Sequence, residues 1–132
     1  MKLLVTALFL IGLLYTSQAT TYYFSNNSGD DARSTAQAQN PLTPWKTINK
    51  LNSIQGQLNP GDTIFFKRGE TFKGTIKLTR SGSAGSPIVF AAYGIGNKPI
   101  ITGFTTVSGW VSIGSNRWET TVPDESNVKI LL

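Results

Sequence analysis

The chain contains no histidine and no cysteine. Without histidine, Ser-His-Asp triads, imidazole general bases and histidine-ligated metals are excluded within it. Without cysteine, disulfides, thiolate nucleophiles and Cys-bound zinc or iron–sulfur clusters are excluded too. Charged residues are only 14% of the total, which is too few for a charge-rich coiled coil or a disordered polar tail. No phosphate-cradling Gly loop or nucleophile elbow is present. What remains for chemistry is seven carboxylates, twelve Lys and Arg, and the hydroxyls. A length of 132 residues is one domain's worth of chain.

Beside these absences stands one strong N-terminal signal. Met1-Lys2 is followed by an apolar stretch from Leu3 to Leu14, interrupted only by Thr6 and Gly12. Tyr15-Thr16-Ser17-Gln18-Ala19 then turns polar, with small residues at 17 and 19. This order of charge, apolar run and small-x-small site predicts a secretory signal peptide over 1–19, cleaved after Ala19. The apolar run falls short of the roughly 20 residues that a spanning helix needs, and no second such run follows. The product is expected to be secreted, with no membrane anchor and one domain over 20–132.

The net charge of +5 loses one unit with Lys2. Lys67, Arg68, Lys73, Lys77 and Arg80 form the densest basic stretch, and Arg33, Lys46, Lys50, Lys98, Arg117 and Lys129 are scattered. The functional interpretation is attraction to an acidic extracellular polysaccharide; the plainer one is a solvated strand face. No nucleic-acid module is recognisable.

The rest reads as strands, turns and one short helix. Thr43-Pro44 predicts a helix start, and Trp45, Ile48, Leu51 and Ile54 make an apolar stripe over about three turns. Strands are expected at Thr21–Ser25, Asp62–Lys67, Phe72–Leu78, Ile88–Tyr93 and Pro99–Gly103. Later candidates are Trp110-Val111, Arg117–Val122 and Val128–Leu132. The step from Ile64 to Ile88 equals that from Ile76 to Ile100. A repeat of about 20–30 residues in an all-β chain suggests a solenoid. An antiparallel sandwich is the rival, but the chain lacks the Asn-Gly and Asp-Gly turns expected of tight hairpins.

The run Tyr22-Tyr23, Ser28-Gly29-Asp30-Asp31, Pro41 to Ile48, Leu58-Asn59-Pro60-Gly61-Asp62-Thr63-Ile64, Gly69 to Phe72, Ser81 to Ile88 and Ala92-Tyr93-Gly94 carries a family likeness. It resembles the N-terminal part of secreted right-handed parallel β-helix proteins of the pectate-lyase-like superfamily. The resemblance implies an all-β solenoid with an N-terminal capping helix and its first rungs. It implies a truncated chain, since Ile130-Leu131-Leu132 offers no cap. It also implies a polysaccharide (polyuronate) lyase in the complete protein, with calcium possible there and no cofactor in this chain. A non-catalytic surface scaffold and a glycoside hydrolase on the same fold are the alternatives.

No catalytic, substrate-binding or metal residue is assigned. Asp30-Asp31 offers oxygens for a hard cation or, more simply, an Asx turn. Asp62 and Glu70 read as turn residues. A Lys or Arg of the 67–80 stretch would need burial or a neighbouring cation to act as an elimination base. Trp45 fits the helix stripe, while Trp110 and Trp118 suit either core or sugar stacking. Asn26-Asn27-Ser28 matches a glycosylation sequon.

Overall fold

The computed structural model describes residues 19–104, 106–121 and 129–131. Residues 1–18 of the expected leader lie outside them. Among the described residues, eight strands and one α-helix occur in the order β1 (Thr21–Phe24), α1 (Ile48–Ile54), β2 (Thr63–Lys67), β3 (Thr71–Lys73), β4 (Val89–Tyr93), β5 (Ile100–Thr102), β6 (Val111–Gly114), β7 (Arg117–Thr121) and β8 (Lys129–Leu131). Among the described residues no helix is long and apolar enough to cross a membrane.

The strands form three separate sheets: β1-β2-β4, β3-β5 and β6-β7-β8. The first two are parallel and the third is antiparallel. This corrects the expected right-handed parallel β-helix, because no closed solenoid is formed among the described residues. The apparent repeat fails in its register. Ile64 faces Phe90, two residues beyond Ile88, and Phe72 rather than Ile76 belongs to the strand that pairs with β5. The physical reason lies at Gly74, whose φ of 130° ends β3. Beyond it, Asn52 of α1 takes the backbone groups that a longer strand would use. Its Nδ2 donates to the Thr75 carbonyl and its Oδ1 accepts from Lys77 N–H, each at 2.9 Å.

The antiparallel sheet was hidden by unusual turn chemistry. Ser115 and Asn116 join β6 to β7 at φ values of 52° and 57°. Both positions are left-handed, as a tight primed hairpin turn demands, but neither is glycine. Asn tolerates that region better than most residues, so an Asn-Gly search overlooks the pair.

Of the expected stripe only Ile48, Leu51 and Ile54 lie on the helix, which is seven residues long and starts later than Thr43-Pro44. Trp45 is extended instead: its N–H donates to the Tyr23 carbonyl at 2.9 Å and its carbonyl accepts from Ser25 N–H at 2.8 Å. Thr47 is the N-cap, its Oγ1 accepting from Lys50 N–H at 3.1 Å. Ile48, Leu51 and Ile54 then face the core.

That core joins a chain of aromatic rings to an aliphatic cluster. Alternation along β1 and β2 turns Tyr22, Phe24, Ile64 and Phe66 inward. Ring contacts run from Tyr22 to Trp45 (5.5 Å), Trp45 to Phe24 (5.7 Å), Phe24 to Phe66 (5.6 Å) and Phe66 to Phe72 (5.0 Å). Helix α1 contributes Ile48, Leu51 and Ile54 to the same cluster, beside Ala38, Leu58 and Ile64. Gly29 sits where backbone segments meet most closely. A Cβ there would stand 2.2 Å from the carbonyl oxygens of both Ser25 and Trp45.

Candidate functional site

Two carboxylates organise the surface next to this core. Glu70 follows the turn after β2 and is buried. Its Oε1 accepts from Ser25 Oγ at 2.9 Å, and its Oε2 accepts from Asn26 N–H at 2.6 Å and Asn27 N–H at 3.4 Å. Lys67 Nζ lies 3.9 Å away on a half-exposed side chain, too distant and too wet to dominate. Glu70 therefore pins the loop after β1 to the turn after β2. Asp31 does the same for the approach to α1. Its Oδ1 accepts from Lys46 N–H (2.7 Å) and Thr47 N–H (3.0 Å), and its Oδ2 from Thr47 Oγ1.

Between the segments so fixed lies a cleft of about 280 Å³. Asn26 stands on one wall, Lys46 and Thr47 on a second, and Thr71 and Lys73 of β3 on a third. Alternation along β3 places Thr71 and Lys73 outward and Phe72 inward. Lys46 and Lys73 are exposed, and the cleft lining carries no carboxylate. Two ammonium groups beside the Asn26 amide and the Thr71 hydroxyl can hold a hydroxylated or anionic ligand; the Thr47 hydroxyl is already engaged by Asp31 and Lys50 N–H. They do not form an acid–base pair. A second groove, of about 390 Å³, lies between β4 and β5 over Phe66, Phe90 and Ile101, with Arg68 and Lys98 at its side.

The residues singled out from sequence disperse. Asp30 closes an Asx turn, its Oδ1 accepting from Ala32 N–H at 2.9 Å. Asp62 is fully buried and accepts from Thr20 N–H and Asn59 N–H. No cluster of three metal-ligating side chains occurs among the described residues. The basic stretch does not converge on one patch. Arg68 reaches the Gly96 carbonyl at 3.5 Å, Arg80 crosses to the Gly56 carbonyl at 2.7 Å, and Lys77 is exposed. Trp45 is a core residue whose Nε1 donates to the Arg33 carbonyl at 2.8 Å. Trp118 is 48% exposed on β7 and Trp110 is half-buried. Asn26 of the sequon is exposed at the cleft. Sequence spacing had no means of joining Lys46 to Lys73, because the cleft exists only once β3 passes the start of α1.

Buried phenols lie on both faces of the first sheet. Burial, and then the charge of Asp62, raise the pKa of Tyr22. On the outer face Tyr93 packs edge-on against Tyr23 at 5.0 Å. Burial first, then the charge of Glu70, push Tyr93 up to about 12. Its hydroxyl has no hydrogen-bond partner among the described residues.

The fold neighbours include carbohydrate-active proteins. The crystal structure of a GH136 lacto-N-biosidase from Eubacterium ramulus matches with a TM-score of 0.52 and 33% identity, over 61% of this chain and 12% of that one. The complex of XylC with xylose matches with a TM-score of 0.61 and 25% identity, over 78% of this chain and 15% of that one. No protein-family profile matches. Among curated proteins, the lacto-N-biosidase of Bifidobacterium longum subsp. longum is 41% identical over 91 residues. That match takes in 65% of this chain and 5% of the relative, so the chain spans about a twentieth of the protein it is similar to. These findings overturn the resemblance to the pectate-lyase-like superfamily, and with it the expected polysaccharide lyase chemistry. The likeness is to glycoside hydrolases.

Proposed function

We propose that this chain is part of an exported carbohydrate-active protein of the glycoside hydrolase kind, acting on an oligosaccharide with a lacto-N-biose unit. The observation that carries the proposal is the 41% identity over 91 residues to a lacto-N-biosidase. The leader pattern of residues 1–19 supports export. Glycoside hydrolysis uses two carboxyl groups facing one bond, roughly 5–9.5 Å apart. Here Asp30, Asp31, Asp62 and Glu70 are each committed to backbone N–H groups. Glu119 is the one other carboxylate among the described residues, so a pair facing one bond is sought elsewhere in the complete protein, with the described residues serving as scaffold.

The partner is an extracellular oligosaccharide. Lys46 and Lys73 at the cleft favour one bearing a negative substituent, since a cleft lined by one sign of charge concentrates the opposite one.

The test compares the complete gene product with this 132-residue chain on a chromogenic lacto-N-bioside. Release by the complete product and none by the chain is expected. Absence of release by both, with unsaturated uronates formed from a polyuronate instead, overturns the proposal. For the cleft, NMR titration with glucuronate is expected to shift amides of 26, 46–47 and 71–73, and K46Q/K73Q is expected to abolish the shifts.

A further inference from the structure

We propose that cleavage after Ala19 does more than remove a leader: it creates an α-ammonium group at Thr20 that pairs with the buried Asp62 carboxylate and fastens β1 to β2. The inference rests on the export reading above.

Asp62 is fully buried behind the Pro60-Gly61 turn. Its Oδ2 accepts from Asn59 N–H at 2.8 Å, and its Oδ1 accepts from Thr20 N–H at 2.7 Å. Among the described residues its carboxylate forms no salt bridge. A buried carboxylate served only by neutral N–H groups is incompletely compensated. The nitrogen closest to it is the one that processing would charge.

The chemistry balances without a co-reactant other than water. A signal peptidase directs water onto the Ala19 carbonyl, and the Ala19–Thr20 amide bond breaks. The acyl carbon of Ala19 keeps the water oxygen and departs with the leader as a carboxylate, and both protons of the water end on the Thr20 nitrogen, turning its N–H into an ammonium. The position is already set. The Thr20 carbonyl accepts from Thr63 N–H at 2.9 Å, and Thr21 pairs with Thr63 in the sheet. Ala19 lies over the turn, its Cβ 3.2 Å from where a Cβ of Gly61 would stand. Ala19 is exposed and Thr20 half-buried, so the boundary between solvent and core falls at the cleavage site.

Two titratable groups face the new amine: Asp62 at the start of β2 and the Tyr22 phenol of β1. An α-amine ordinarily titrates near 7.7–8.0, and an opposite charge in contact raises it by about 1–3 units. A raised folded-state value means that the stabilisation is fully present below about pH 8 and is lost as pH rises through the raised value.

The experiment starts from the exported protein. Intact mass and N-terminal sequencing are expected to show a chain beginning at Thr20. Its α-amine is expected to titrate at least about one unit above the ordinary value. A variant beginning at Ala19, in which the Thr20 nitrogen stays a neutral amide, is expected to unfold at lower urea at pH 7. That difference should vanish at strongly alkaline pH and in D62N. If D62N does not fold, the amine titration of the parent decides alone. An ordinary amine titration, equal urea midpoints, or a first residue other than Thr20 overturns the pairing while leaving export intact. A cell-retained chain still beginning at Met1 overturns the export reading, and the pairing with it.

Discussion

Removing the Glu70 carboxylate is expected to be among the most damaging single polar changes in this fold. In E70A, Asn26 N–H loses its partner at 2.6 Å and Asn27 N–H its weaker one at 3.4 Å. Ser25 Oγ loses an acceptor at 2.9 Å but keeps Ser28 Oγ at 2.9 Å, which softens that part of the loss. Hydrogen bonds to a charged group contribute roughly 1.5–3 kcal/mol each. Counting one such bond in full and the other two in part gives a cost of about 3–4 kcal/mol. Glu70 is 93% buried by residue area (7% exposed), so solvent screening discounts this little. Against a typical domain stability of about 5–15 kcal/mol, the loss is large. E70Q keeps one carbonyl acceptor and should cost about 1–2 kcal/mol. K67A removes only the 3.9 Å contact to a half-exposed side chain and should cost less than about 0.5 kcal/mol. Urea unfolding at pH 7, followed by near-ultraviolet circular dichroism of the aromatic core, measures all three. The reasoning is refuted if E70A lies within about 1 kcal/mol of the parent. It is equally refuted if K67A costs as much as E70A, because an ion pair and not the N–H cradle would then hold the loop.

Three further outcomes follow from the same geometry. G29A places a methyl group 2.2 Å from two backbone carbonyls, so it should cost more than about 3 kcal/mol, measured as a fall in the urea midpoint. T47A removes both the side-chain cap on Lys50 N–H and the hydroxyl bond to Asp31 Oδ2, and should cost about 2–3 kcal/mol in the same assay, while S53A, outside the cap, should change little. Y93F should match or exceed the parent's stability by up to about 1 kcal/mol at pH 7, because it deletes a buried hydroxyl that lacks a partner among the described residues. For Tyr93 the folded value of about 12 lies above the ordinary 10.0. Its stabilisation is therefore complete below pH 10 and lost between 10 and 12. Y93F should accordingly lose less stability than the parent over that interval; Tyr22, also raised, leaves a residual slope.

The local features were legible in the chain itself. The stripe Ile48, Leu51 and Ile54, the alternation in Thr63–Lys67, and the turn character of Asp30 and Asp62 each follow from side chains a few residues apart. Spacing could not settle how these pieces pair. The shared step between isoleucines suggested one register, whereas Ile64 meets Phe90. Sheet register depends on which faces are buried together, and a shift of two residues preserves the alternation while changing every partner. Trp45 shows the same limit. Its helical spacing is real, but its backbone is drawn into pairing with Tyr23 and Ser25, which only the neighbouring strand can offer.

The sequence by itself determined an all-β chain with one short amphipathic helix and no histidine or cysteine chemistry. It also held the leader pattern and the carboxylates that order the loops. Tertiary structure alone decided that Glu70 reaches back to Asn26, that Asp62 meets the Thr20 nitrogen, and that Lys46 and Lys73 share a cleft. These pairs lie far apart along the chain, and no local propensity encodes them. They arise when apolar faces are buried and the polar groups carried with them must find partners.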